Sequence, residues 1–155
     1  MKNATFGTIV ELKDTTFTSS IGSKIKKYRL LKNFTQKELG TLMGIDPCQF
    51  YYYEHDIFYP RYPSLIKMAN ILKIDVKKLM DNYYLFITSP KYKNFFENLR
   101  LQNNWTYNDV ENILGINPYT YREWELGAKL GRDLYIKLRK KLFELKIINK
   151  LNIKK

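Results

Sequence analysis

Two stretches of this sequence lie over each other without a gap. Residues 25–54 match residues 96–125 at a constant offset of 71. Arg29 falls on Arg100, Leu30 on Leu101, Asn33 on Asn104 and Thr35 on Thr106. Gly44, Ile45, Pro47 and Glu54 fall on Gly115, Ile116, Pro118 and Glu125. Self-similarity at a fixed spacing marks a repeated supersecondary unit and constrains the fold more than any local propensity. The chain must therefore build one small unit twice.

The start and stop residues say that the unit is helical. Ser20 is a candidate N-cap for a first helix, with Ile21, Ile25, Tyr28 and Lys32 on one face and Leu31 beside them. Asn33-Phe34 breaks it. Thr35 with Glu38 three positions on forms a capping box for a second helix, whose expected buried stripe is Leu39, Leu42 and Met43. Gly44 ends that helix, where a left-handed backbone is cheap only for glycine. Asp46 then caps a third helix with Pro47 at its first position. Phe50, Tyr53 and Glu54 face inward at helical spacing. After a loop at Pro60-Arg61-Tyr62-Pro63, Ser64 caps a fourth helix, and residues 76–80 close the domain. In the second copy, residues 94–102 form the first helix, Thr106 caps the second and Asn117 caps the third. A long amphipathic helix is expected over 132–148, with Leu134, Leu138, Leu142 and Leu145 on one side.

These signals divide the chain into an N-terminal arm (1–20), a first domain (21–80), a linker (81–92), a second domain (93–148) and a basic tail (149–155). The fold class expected is all-α. The formal net charge is +12, with 27 Lys and Arg against 15 Asp and Glu. Such a balance favours a polyanionic partner. The charge is shared: 13 basic against 7 acidic residues in 1–80, and 14 against 8 in 81–155. No apolar run is long enough to cross a membrane, and no signal-peptide core is present, so a cytoplasmic, nucleoid-associated protein without a membrane partner is expected. The lone Cys48 excludes an internal disulfide, and one His with one Cys makes a metal site an unpromising reading.

Residues 21–80 resemble the Cro/C1-type (XRE-family) helix-turn-helix DNA-binding regulators, a lambda-repressor-like fold. The resemblance is carried by Ile21-Gly22, Ile25, Arg29, Thr35-Gln36, Leu39-Gly40, Gly44-Ile45-Asp46, Phe50, Tyr53-Glu54 and Pro63-Ser64-Leu65. A second, degenerate copy runs from Phe95 to about Phe143. It keeps Arg100, Thr106, Gly115-Ile116-Asn117 and Trp124-Glu125, but has Tyr107 in place of Gln36 and Val110-Glu111 where the family prefers Leu-Ala. Together the two copies cover about 110 of the 155 residues.

The resemblance implies two tandem helix-turn-helix domains and a recognition helix at 47–55, lying in the major groove of double-stranded DNA. Its outward residues would be Pro47, Cys48, Gln49, Tyr51, Tyr52 and His55. Gln49 is the best base reader, because a Gln amide pairs bidentately with adenine. Family members often carry a polar reader where Pro47 stands, and proline cannot donate there. Gln36 matches a residue that clamps a backbone phosphate, and Lys26, Lys37 and Arg61 are candidate phosphate contacts. In the second copy Tyr119, Thr120 and Arg122 are the candidate DNA contacts, with Glu123 and Glu125 placing acid nearby. Arg29–Glu54 and Arg100–Glu125 match the family's structural ion pair.

The function expected is therefore a sequence-specific transcriptional regulator of bacterial, phage or mobile-element origin, acting as a repressor or activator by operator occupancy. The rival is a helix-turn-helix scaffold that binds a protein or ribonucleoprotein, such as an inhibitor of host defence. A packing or dimerisation role is the alternative for the second copy, so a homodimer and a protein partner through domain 2 both stay open. An enzyme is not expected. No phosphate-binding glycine loop, metal-ligand cluster or nucleophile–base pair stands out, and no cofactor is implied.

Overall fold

The computed structural model describes residues 20–148, in which every regular element is helical. The arm expected over 1–20, Ser20 apart, and the basic tail at 149–155 lie outside the described residues. The chain divides into two compact units, with the boundary between Tyr84 and Leu85. The first contains α1 (Ile21–Leu31), α2 (Gln36–Met43), α3 (Pro47–Glu54), α4 (Tyr62–Leu72) and a 3₁₀ turn (Val76–Lys78). A short helix, α5 (Asn82–Ile87), contains the boundary. The second unit contains α6 (Tyr92–Gln102), α7 (Tyr107–Leu114), α8 (Pro118–Glu125) and α9 (Arg132–Glu144).

The offset of 71 residues holds for both ends of α1 and α6, of α2 and α7, and of α3 and α8. The turns repeat as well. Asn33 and Asn104 are left-handed (φ 57° and 53°), as are Gly44 and Gly115 (φ 71° and 68°). Both second helices open on a capping box. Thr35 Oγ1 accepts from Glu38 N at 3.1 Å, while Thr35 N donates to Glu38 at 2.7 Å. Thr106 and Asp109 repeat this at 3.2 and 2.7 Å. The third helices start alike, with Asp46 accepting from Cys48 N at 2.7 Å and Asn117 from Tyr119 N at 2.9 Å.

Within the first unit, α3 packs against both α1 and α2. Ile21, Ile25, Leu39, Phe50, Leu65, Met68, Leu72 and Leu79 are almost fully buried. Each contributes about 1.5–3 kcal/mol on leaving water. Lys24 Nζ reaches back to the carbonyl of Met80 at 2.7 Å, tying α1 to the end of the unit. The second unit is more aromatic. Phe96 sits 5.1 Å from Phe95, 5.6 Å from Tyr121 and 5.1 Å from Trp124, ring centre to ring centre. Offset and edge-on geometries of this kind add to simple burial.

Several expected details are corrected. Leu31 and Leu42 are exposed, not buried. In α2 the buried arc runs through Leu39, Gly40 and Met43, which leaves Leu42 at its edge. Ile45 is half-buried, whereas Ile116 is buried. The fourth helix begins at Tyr62, not Ser64, because proline is tolerated in a first turn and Pro63 is absorbed there. Part of the stretch read as a linker, 81–92, is helical. Asp81 accepts from Tyr84 N at 3.1 Å and starts α5, and Tyr84, Phe86 and Ile87 are buried. Tyr84 also donates to the carbonyl of Pro60. Finally, α9 stops at Glu144, ahead of left-handed Lys146. Leu138 and Leu142 are buried but Leu134 and Leu145 are exposed. Side chains four apart drift around a helix of 3.6 residues per turn, so a long stripe leaves the core.

Gly22 lets α1 approach the end of α3 closely. A Cβ there would lie 2.5 Å from the carbonyl oxygen of Glu54 and 2.7 Å from that of Tyr53. Its N–H donates to Asp56 Oδ1 at 2.8 Å. Gly22→Ala should therefore push α1 off the end of α3. The expected loss is about 1–3 kcal/mol, the usual range for overpacking, read as a lower urea midpoint. An unchanged midpoint would mean that this contact relaxes freely.

Candidate functional site

Glu54, at the last position of α3, organises the first unit. It is buried, and its carboxylate accepts from Arg29 Nε at 2.5 Å and from Arg29 Nη2 at 3.0 Å. Arg29 Nη1 donates to the carbonyl of Phe34 at 2.7 Å. This bidentate pair joins α1, the turn after it and α3, with side-chain exposures of 8% for Arg29 and 0% for Glu54. A third partner was not foreseen from sequence. Gln36 Nε2 donates to Glu54 Oε2 at 2.6 Å. The expected phosphate clamp thus has its amide engaged with the ion pair, and only its second N–H is left for a phosphate.

The second unit repeats the triad with altered chemistry. Arg100 Nε donates to Glu125 Oε1 at 2.8 Å, and Tyr107 Oη donates to Glu125 Oε2 at 2.6 Å. Tyr107 stands at the Gln36 position and takes over its hydrogen bond. Its only O–H is thereby used. Its bond to Glu125 holds the Tyr107 phenol above the usual tyrosine range, and Arg100's own bond to Glu125 raises the guanidinium likewise. Arg100 also lies 4.5 Å from the centre of the Tyr107 ring.

The anchored α3 presents a defined outer edge. Pro47, Cys48, Gln49, Tyr51 and His55 are exposed and Tyr52 is half-exposed, while Phe50, Tyr53 and Glu54 are buried. Gln49 Nε2 donates to Tyr53 Oη at 3.1 Å, which orients the amide. Tyr51 stacks on His55 with ring centres 3.8 Å apart. His55 Nδ1 lies 2.9 Å from the carbonyl of Tyr51. A carbonyl only accepts, so Nδ1 carries the proton and Nε2 of the neutral ring is an acceptor. A hydrogen bond with the Cys48 side chain holds the Tyr52 phenol above its usual range. No Lys or Arg occurs in α3. Lys26, Lys37 and Arg61 are all exposed, on α1, in the first turn of α2 and just ahead of α4.

The same positions in the second unit are chemically different. Lys26, Lys37, Gly40 and Tyr52 become Glu97, Asn108, Glu111 and Glu123. Glu97 and Glu111 are exposed and Glu123 is half-exposed. Tyr119 and Arg122 are exposed and Thr120 is half-exposed on α8. Of the first unit's candidate phosphate contacts, Lys26 is thus replaced by an acid, Lys37 by a neutral amide and Arg61 by Arg132, while Glu111 and Glu123 add acid where the first unit has Gly40 and Tyr52.

Among the described residues no helix is long and apolar enough to cross a membrane, and no three His, Cys, Asp or Glu side chains are grouped to hold a metal ion. No family model, curated protein or solved structure matches this chain.

Proposed function

We propose that the chain is a sequence-specific DNA-binding transcriptional regulator whose first unit lays α3 in the major groove. The observation that supports this most is the outer edge of α3. It is a short helix fixed at its end by a buried bidentate ion pair, with a hydrogen-bond-oriented amide facing out and exposed cations on the flanking elements. A reading helix needs this combination. Base contacts specify sequence, phosphate contacts position the protein, and the two come from different side chains.

The chemistry of the edge selects a substrate class. The commonest reader of guanine is Arg or Lys, bidentate to O6 and N7, and α3 has neither. Gln49 retains one N–H and its carbonyl, a match for adenine N7 and N6. Tyr51, Tyr52 and Cys48 offer apolar contact for the thymine methyl group. The half-site is therefore A·T-rich.

A selection from randomised duplexes with the full-length protein tests both parts. The expected result is an A·T-rich motif, with affinity falling as salt rises because counterions are released. A G·C-rich motif would overturn the assignment of the readers but keep the function. No enrichment at low salt would overturn the function, and would favour the reading as a scaffold for a protein or ribonucleoprotein.

A further inference from the structure

The outer edge of α8 exposes two large apolar side chains. Tyr119 and Leu126 are 72% and 65% exposed, more than any other large apolar side chain described. Arg122 and Glu123 lie between them. The four residues follow the i, i+3, i+4, i+7 spacing that places side chains on one helical stripe. Leu126 stays on it because its backbone is still right-handed helical, φ −83° and ψ −6°. Neither Arg122 nor Glu123 has an ion-pair partner among the described residues.

This stripe is its own complement. In an antiparallel pair of identical helices about a two-fold axis, positions with a constant sum of residue numbers face each other. An axis midway between Arg122 and Glu123 sets Tyr119 against Leu126 of the other copy. The same axis sets Arg122 against Glu123, twice. Apolar meets apolar and each cation meets an anion. Isologous interfaces require just this self-complementarity. The first unit has no such pattern: its equivalent positions are Cys48, Tyr51, Tyr52 and His55.

Charge also favours α8 over α3 as the contact helix, because the equivalent stripe of α3 carries no acid. Two chains of net charge +12 repel each other. On α8 the two Arg122–Glu123 pairings offset part of that repulsion, and Glu97 and Glu111 add further acid to the second unit. The same acids, and a Tyr107 hydroxyl already committed to Glu125, make it unsuited to phosphate. We infer that α8 is a homodimer interface, occupied by α8 of a second copy, and that Tyr119 and Arg122 serve this contact rather than DNA. If α3 reads DNA as proposed above, the dimer carries two copies of α3, and a site that engages both about the two-fold axis is an inverted repeat. That corollary rests on the proposed function; the interface does not.

Sedimentation equilibrium of the full-length protein without DNA tests the interface. A four-residue stripe buries less than the roughly 1,200 Å² of a standard stable complex, so a concentration-dependent monomer–dimer equilibrium is expected. Arg122→Glu and Glu123→Arg should each give monomers with unchanged circular dichroism. The double variant should dimerise again, because the pairs are restored with reversed polarity. Leu126→Ser should give monomers without any change of charge. The inference is overturned by a wild-type monomer at all concentrations, by a dimer that the single variants leave intact, or by a folded double variant that stays monomeric.

Discussion

Glu54→Ala is expected to cost the first unit about 3–5 kcal/mol, the usual penalty when one partner of a buried ion pair is removed. Arg29 would keep its charge in a site where its side chain is only 8% exposed. Its one remaining partner here is the carbonyl of Phe34, and Gln36 would lose its acceptor too. For a unit of this size the loss corresponds to a fall of at least about 12 °C in melting temperature. The chain contains an internal comparison. The Arg100 and Glu125 side chains are 17% and 10% exposed, and Arg100 also stacks over Tyr107, so Glu125→Ala should cost less. The two are separable by signal. Both tryptophans, Trp105 and Trp124, belong to the second unit. Glu54→Ala should shift a transition seen by circular dichroism while the tryptophan transition stays, and Glu125→Ala should move the tryptophan transition. Equal losses from both variants would refute the difference in burial as the cause.

Gln49→Ala should abolish the preference for adenine at one position of the half-site. The expected cost is about 1–3 kcal/mol on the preferred site, the worth of a bidentate base contact. Lys26→Ala and Lys37→Ala should behave differently, weakening all sequences alike and each reducing the salt slope by about one. Tyr53→Phe separates orientation from contact. The ring is buried and stays, but the hydroxyl that accepts from Gln49 goes. The adenine preference should then be blunted with little change in non-specific binding. Binding to a panel of single-base variants of the selected site decides this. A Gln49→Ala profile that overlays the wild type would remove Gln49 from the reading role.

The punctuation of this fold was legible in the sequence because it is local chemistry. Thr35 with Glu38, Gly44, and Asp46 followed by Pro47 each satisfy or bend the backbone within a few residues, and every one is where the structure places it. The inward turn of Phe50, Tyr53 and Glu54 was legible for the same reason: eight residues of one helix have one buried face. What escaped depends on distant partners. Leu31 and Leu42 carry the right residue type at helical spacing, but among the described residues no neighbouring element covers them. The helix over 82–87 was hidden by its aromatic content, which reads as strand or loop until Asp81 is seen to cap it. In the site, the Arg29–Glu54 pair could be expected from the resemblance, yet the amide of Gln36 on the same carboxylate could not. Its role is visible only because Tyr107 does the same task 71 residues on. The contact made by Gly22 across 32 residues to Glu54 is likewise a tertiary fact.

Cys48 is the sole cysteine of the 155 residues and it is exposed on α3. The unaltered protein therefore has a single thiol on the edge assigned to base reading. The rate at which that sulfur is alkylated becomes a direct clock for occupancy. A duplex seated on α3 slows the reaction, and one held away from it leaves the thiol reactive.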